Sequence, residues 1–255
     1  MLAIDVGNTN ITIGLFRNQE LLGDWRLSTD QHKTRDELGL KIKSLLDSAD
    51  FPYGSIEGIA VSSVVPYLNR ALQEGLIKYL SSRPRFLRAE DNQLVEILLN
   101  EPQSLGADRV ANCIAASRKH EGAILIIDFG TATSFDLVSP KAQFLGGAIA
   151  PEMEIAMEAL YERAALLPEI ELQMPAGVVG KTTEASMKSG FVFGFISLIE
   201  GMISRFKREH GEPLTVLATG GKGQLFAEQL ESIDHYEDYL VLEGLRIWWN
   251  QLQKG

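Results

Sequence analysis

Leu2-Ala3-Ile4-Asp5-Val6-Gly7-Asn8-Thr9-Asn10 opens the chain, and its pattern returns as Ile126-Ile127-Asp128-Phe129-Gly130-Thr131-Ala132-Thr133. Each copy is an apolar run, an Asp, one apolar residue, a Gly, and a cluster of Thr or Asn. Each leads into a second β-rich stretch, Ile11-Thr12-Ile13-Gly14-Leu15-Phe16 and Ser134-Phe135-Asp136-Leu137-Val138. The spacing predicts a buried strand ending in Asp, a glycine turn, and a second strand running back. Glycine lets backbone approach a ligand closely, and small hydroxyl and amide groups around it can hold phosphate oxygens. A single Asp-x-Gly is a common turn whose carboxylate binds turn amides. Its repetition after two apolar strands, with Thr and Asn in register, points to a nucleotide–metal site. Mg²⁺ on a nucleotide is ordinarily held by one or two carboxylates together with waters and phosphate oxygens. Asp5 and Asp128 supply those carboxylates.

Outward from the first hairpin, strands are expected near 2–6, 10–17 and 20–27, followed by an amphipathic helix near 33–49. A buried strand covers 59–65, and Pro66 opens a helix to about 81. Short extended pieces lie near 85–89 and 94–99, and a helix capped by Ser104 runs over 105–119. Strands at 123–128, 133–138 and 142–146, a helix at 152–166 and a long helix at 183–208 then echo the opening. A strand over 214–219 ends in the turn Gly220-Gly221-Lys222-Gly223, and a last helix spans 241–253. The repeated strand–turn–strand starts imply two similar α/β domains, 1–104 and 105–255, facing each other across a cleft. The second begins with the linking helix, a candidate hinge, and the final helix is free to pack back on the first.

Composition narrows the classes. Of 255 residues, 45% are hydrophobic and 23% charged, as in an ordinary folded domain or pair of domains. No uninterrupted apolar run reaches the roughly 20 residues that span a bilayer, and the first residues lack the basic lead-in of a signal peptide. No membrane partner is expected. The one cysteine, Cys113, suits a reducing cytoplasm. The four histidines show no ligand spacing for zinc. A net charge of −10 argues against a nucleic-acid surface, though not against a small anion held by a local cluster.

Three further constellations carry chemistry. Thr219-Gly220-Gly221, a strand end running into a double glycine, brings backbone against a flat or phosphate-bearing ligand and suits the nucleoside side of the same site. Gly106-Ala107-Asp108-Arg109 stands at a helix start, where Asp108 could accept a hydroxyl proton and Arg109 clamp an anion. Gly177-Val178-Val179-Gly180-Lys181-Thr182-Thr183 imitates a Walker A loop, but Pro175 stands where its first glycine belongs.

Together with Ser62-Ser63-Val64-Val65-Pro66, Gly146-Gly147-Ala148-Ile149-Ala150-Pro151 and Leu242-Glu243-Gly244-Leu245, these motifs make the chain resemble type III pantothenate kinase along essentially its whole length. That family lies within the sugar kinase, heat-shock ATPase and actin superfamily. The resemblance implies an α/β fold of two duplicated ribonuclease-H-like (actin-like ATPase) domains and a homodimer. It also implies ATP-dependent phosphorylation of pantothenate, the step that opens coenzyme A biosynthesis. The ATP phosphates are then expected on Asp5, Val6, Gly7, Asn8, Thr9, Asn10, Ile11, Thr12 and Thr131. Pantothenate falls to Gly106, Ala107, Asp108, Arg109 and Thr183. Asp108 matches the family's proton acceptor, and Asp128 its monovalent cation site, K⁺ or NH₄⁺, beside the Mg²⁺ that accompanies ATP. Two departures are Leu99, where the family often has a tyrosine in the pantothenate pocket, and Glu152, where a glycine usually follows the Ala-Pro. The rival readings are a kinase for another small hydroxy acid and a non-catalytic accessory factor for transcription.

Overall fold

The opening hairpin, residues 2–17, is buried along most of its length, and the strand after it, residues 20–28, alternates exposed and half-buried positions. The computed structural model describes residues 1–49, 51–164, 166–221 and 223–254. Strands β1 (Leu2–Val6), β2 (Asn10–Arg17) and β3 (Glu20–Ser28) form an antiparallel meander. Helix α1 (Arg35–Ser48) follows, its first turn closed by a capping box between Thr34 and Glu37. Strand β4 (Ile59–Ser63) then inserts parallel to β1, and α2 (Pro66–Leu80) leads to β5 (Arg85–Phe86), parallel to β4. The sheet order is β3-β2-β1-β4-β5. Leu2, Ile4, Val6, Ile59 and Val61 pack on Leu38, Ile42 and Leu46 of α1 and Leu68, Leu72 and Leu76 of α2. The other side of β1 and β4 carries Ala3, Asp5, Ala60 and Ser62, because successive side chains alternate between faces.

After β6 (Glu96–Ile97) comes α3 (Ala107–Lys119), then β7 (Ala123–Phe129), β8 (Ala132–Val138) and β9 (Gln143–Pro151). Helices α4 (Met153–Arg163) and α5 (Thr183–His210) precede β10 (Leu214–Thr219), α6 (Gly223–Gln229) and β11 (His235–Tyr236). Strand β7 runs antiparallel to β8 and parallel to β10, and β10 runs parallel to β11. The order β11-β10-β7-β8-β9 repeats the first sheet strand for strand, with β6 added beyond β9. Phe129 stacks on Phe226 at 4.9 Å, and Phe195, Ile199 and Ile203 of α5 complete that core.

Helix α7 (Leu240–Leu252) ends the described elements. By contacts, the chain divides into Met1–Lys119 with Lys141–Leu145 and Tyr239–Gly255, and into His120–Pro140 with Gly146–Asp238. Helix α3 lies in the first of these units, where it packs along α7. At that crossing a β-carbon on Gly244 would run into the main chain of Ala111, which accounts for the glycine in Leu242-Glu243-Gly244-Leu245. In the same unit α7 also lies against β1 and β4.

Several boundaries differ from expectation. Ser104 does not cap α3; it closes a 3₁₀ turn, donating to the Glu101 carbonyl at 2.7 Å, and α3 starts at Ala107. Strand β9 continues through Gly146-Gly147 to Pro151 rather than stopping near 146. Residues 223–229 form α6 where a turn is expected to end, and Lys222 of that turn lies outside the described residues. Among the described helices α5 alone has the length and apolar composition to cross a bilayer, although no uninterrupted run does. Its inner residues are part of the second unit's core.

Candidate active site

The first hairpin is short and braced. The Gly7 N–H donates to the Asn10 carbonyl at 2.9 Å, and the Thr29 hydroxyl donates to the Gly7 carbonyl at 2.7 Å. The Thr29 N–H donates to the Thr9 carbonyl at 2.8 Å, so the residue just past β3 ties down the tip. Asn8 and Thr9 are exposed there, while Asp5, Gly7, Asn10 and Thr12 are half-buried. Val6 and Ile11 face the core, so only their main-chain groups remain for a ligand. Asp5 pairs in register with Thr12 on one side and with Ser62 on the other. The Ser62 hydroxyl is fully buried and has no hydrogen-bond partner among the described residues.

The start of α3 belongs to the same unit. Gly106 makes room for the next acid: a β-carbon there would lie 2.5 Å from Asp108 Oδ1. That oxygen accepts the Arg109 N–H at 2.8 Å, folding the carboxylate back over the first helical turn. Burial pushes the Asp108 carboxyl above the usual carboxylate range, against the downward pull of the Arg109 N–H and guanidinium. The Arg109 guanidinium carbon stands 5.4 Å from the ring centroid of Phe144, a fully buried residue of β9. This aromatic platform escaped the sequence reading, since nothing local links residues 109 and 144.

The second unit repeats the hairpin. The Gly130 N–H donates to the Ala132 carbonyl at 3.2 Å, leaving Thr131 exposed at the tip. Asp128 pairs in register with Thr219 of β10, as Asp5 does with Ser62. Gly220 follows with φ +91°, a conformation that favours glycine. A β-carbon there would stand 2.6 Å from the Phe129 carbonyl oxygen and 2.7 Å from Asp128 Oδ1. The glycine turn therefore lies directly on the Asp128 strand end. Thr183 is the exposed first residue of α5, and Thr182 caps that helix by accepting the Ala185 N–H at 3.1 Å. Among the described residues between β9 and Gly177 there is no strand leading into the glycine, so the Walker-like stretch lacks the P-loop setting. Gly180 is there because a β-carbon would collide with the main chain of Ser186 in α5.

The two departures have ordinary settings. Glu152 caps α4, accepting the Glu154 N–H at 2.8 Å, a job a glycine side chain cannot do. Leu99 is half-buried in the segment after β6.

Two sheets of one order, each opening on a hairpin whose first strand carries an Asp near its end, define an α/β protein with the duplicated actin-like ATPase fold. Solved structures agree on this fold. The inorganic polyphosphate/ATP-glucomannokinase of Arthrobacter sp. strain KM matches with TM-score 0.52 at 15% identity, over 99% of this chain and 98% of that one. A Campylobacter jejuni protein of the Baf family, named for transcriptional activation, matches with TM-score 0.64 at 19% identity over 100% of both. The family model for type III pantothenate kinase matches residues 1–205. Type III pantothenate kinases of an Exiguobacterium strain and of Moorella thermoacetica are each 42% identical to this chain, covering 100% and 97% of both partners respectively. The chain belongs to the type III pantothenate kinase family.

Proposed function

We propose that the chain transfers the γ-phosphoryl group of ATP to the primary hydroxyl of pantothenate, giving 4'-phosphopantothenate, the first step of coenzyme A biosynthesis. The observation that carries this reading is the start of α3: an acid raised by burial beside an arginine held over an aromatic ring. Asp108 accepts the hydroxyl proton, and a carboxylate lifted toward neutral pH suits that task. Arg109 holds the pantothenate carboxylate through its planar fork. Gly106 and Ala107 shape the turn that presents both, and Thr183 adds a hydroxyl to the acceptor.

Main-chain N–H groups and hydroxyls of Gly7 to Thr12 would take phosphate oxygens of the nucleotide, as would Thr131, and Asp5 would hold its metal. The donor set fits a hard cation, since oxygen ligands suit Mg²⁺ and K⁺. When bound, Mg²⁺ neutralises phosphate charge. Asp128 Oδ1 and the Phe129 carbonyl oxygen converge on Gly220, and this pair of oxygens fits K⁺ or NH₄⁺. Phosphoryl transfer is largely positioning and charge stabilisation, so these groups need no covalent role.

A homodimer is the assembly this reading includes. Supporting it, α5 exposes Gly190, Gly194 and Ser197 at helical spacing, with open space around both glycines. In the same unit Ile149 is 64% exposed, Val178 71% and Val179 85%. These exposed apolar side chains are available to a second copy of the chain. Sedimentation at micromolar concentration is expected to give twice the chain mass.

The direct test is coupled ADP release with and without pantothenate. ADP formation that depends on pantothenate supports the reading; release that ignores pantothenate, or none, overturns it. A panel of small hydroxy acids in the same assay distinguishes the acceptor.

A further inference from the structure

The two halves of the chain use one position differently. Ser62 stands beside Asp5 across the parallel β1–β4 pair, and Thr219 stands beside Asp128 across the parallel β7–β10 pair. In the second half the Thr219 hydroxyl donates to the Glu237 carbonyl at 2.6 Å. The backbone around it is anchored by the Glu237 N–H, which donates to Ala218 at 2.9 Å. The first half keeps the matching backbone bond, from the Leu87 N–H to Val61 at 2.8 Å, but the Ser62 hydroxyl has no hydrogen-bond partner among the described residues. Its neighbour Ser63 does local work instead, donating to Asn69 Oδ1 at 2.6 Å and accepting the Val65 N–H at 3.2 Å.

A fully buried hydroxyl without a partner weakens a fold, and the methyl of alanine would fill the same place without that penalty. Ser62 and Asp5 share a face of the sheet, on strands about 4.8 Å apart. One staggered rotamer turns the Ser62 Oγ toward its β1 neighbour, where an O–H donated to a carboxylate is a strong, charge-assisted bond. We infer that Ser62 is a positioning residue: its hydroxyl holds one oxygen of Asp5 and thereby aims the other at the metal ion of the bound nucleotide. Carboxylates that serve metals are themselves held by hydrogen bonds, and loss of such a partner weakens metal affinity by about 10–100-fold. The inference rests on the nucleotide role proposed for Asp5.

The test compares the intact wild-type chain with Ser62→Ala and Ser62→Thr. Calorimetry measures ATP affinity with Mg²⁺ and with chelator, Mn²⁺ binding in the presence of ATP is read by electron paramagnetic resonance, and melting gives stability. Ser62→Ala is expected to melt no lower than wild type and to bind metal-free ATP normally. Its Mn²⁺ affinity and its Mg²⁺-dependent gain in ATP affinity should fall about 10-fold. Ser62→Thr, which keeps the hydroxyl, should recover most of this. Wild-type metal affinity in Ser62→Ala overturns the inference, and so does equal loss of ATP affinity with and without Mg²⁺. Absence of pantothenate-dependent ADP release from the wild type would overturn the kinase reading alone, because the binding comparison reads Ser62 independently.

Discussion

Gly220 and Asp128 touch: a β-carbon on Gly220 would fall 2.7 Å from Asp128 Oδ1, and the glycine holds φ at +91°. The end of β10 and the end of β7 are thus locked by the absence of one side chain. Gly220→Ala has to strain its backbone and push the Asp128 carboxylate aside. A stability loss of about 1–3 kcal/mol is expected by chemical denaturation. If K⁺ is held at Asp128, the variant should also lose its preference for K⁺ over Na⁺; an unchanged ratio of rates in the two salts would separate Asp128 from the cation.

Asp108 carries the second prediction. Asp108→Asn should lower turnover by roughly 10²–10⁴, the worth of a positioned base, and near-normal turnover would remove Asp108 from that role. Stability should move the other way. Burial raises the Asp108 pKa, so the folded chain holds this proton more tightly than the unfolded chain does. The wild type therefore loses stability as pH rises from the ordinary carboxylate value through the raised one. Asp108→Asn escapes that loss, so its advantage should be absent below this interval, grow across it and be complete above it. A pH series of denaturation midpoints checks the sign. The acid limb of kcat for the wild type should likewise lie above the usual carboxylate range.

Phe144 offers a third. Its ring underlies the Arg109 guanidinium at 5.4 Å, an attraction worth about 0.5–2 kcal/mol. Phe144→Leu keeps the apolar volume but removes the ring face. The KM for pantothenate is expected to rise between about 2-fold and 30-fold, the range that attraction spans, while the KM for ATP stays put. Phe144→Trp should lose less. Equal increases in both constants would mean that the ring supports the unit generally, not Arg109.

The α3–α7 crossing supplies the fourth. Gly244→Val places a branched side chain where the Ala111 main chain already sits. Overpacking of this kind costs about 1–3 kcal/mol or more. Thermal melting should show a clear drop, smaller for Gly244→Ala, and an unshifted melt would mean that the helices can separate at no cost.

The repeated hairpins were legible because a buried strand, a turn glycine and a strand partner leave local marks: apolar runs, then Asp, then Gly. The long helices were legible from their spacing, and the motif at 106–109 from its place at a helix start. Other features were not. Residues 223–229 lack a strong apolar period, and β11 is two residues whose pairing is dictated by β10. Ser104 looks like a helix cap, yet the 3₁₀ turn claims its hydroxyl first. Glu152 is unusual as a residue type but ordinary as a cap once α4 is seen to begin beside it.

By itself the sequence determined the doubling of the fold, the Asp near the end of each hairpin's first strand, and the family. These are encoded in contiguous residues, where backbone sterics and apolar periodicity act over a few positions. Tertiary structure alone decided that Ser62 lies beside Asp5, that Gly220 lies on Asp128, and that Phe144 underlies Arg109. Each joins residues more than thirty positions apart, and strand order and helix packing bring them together.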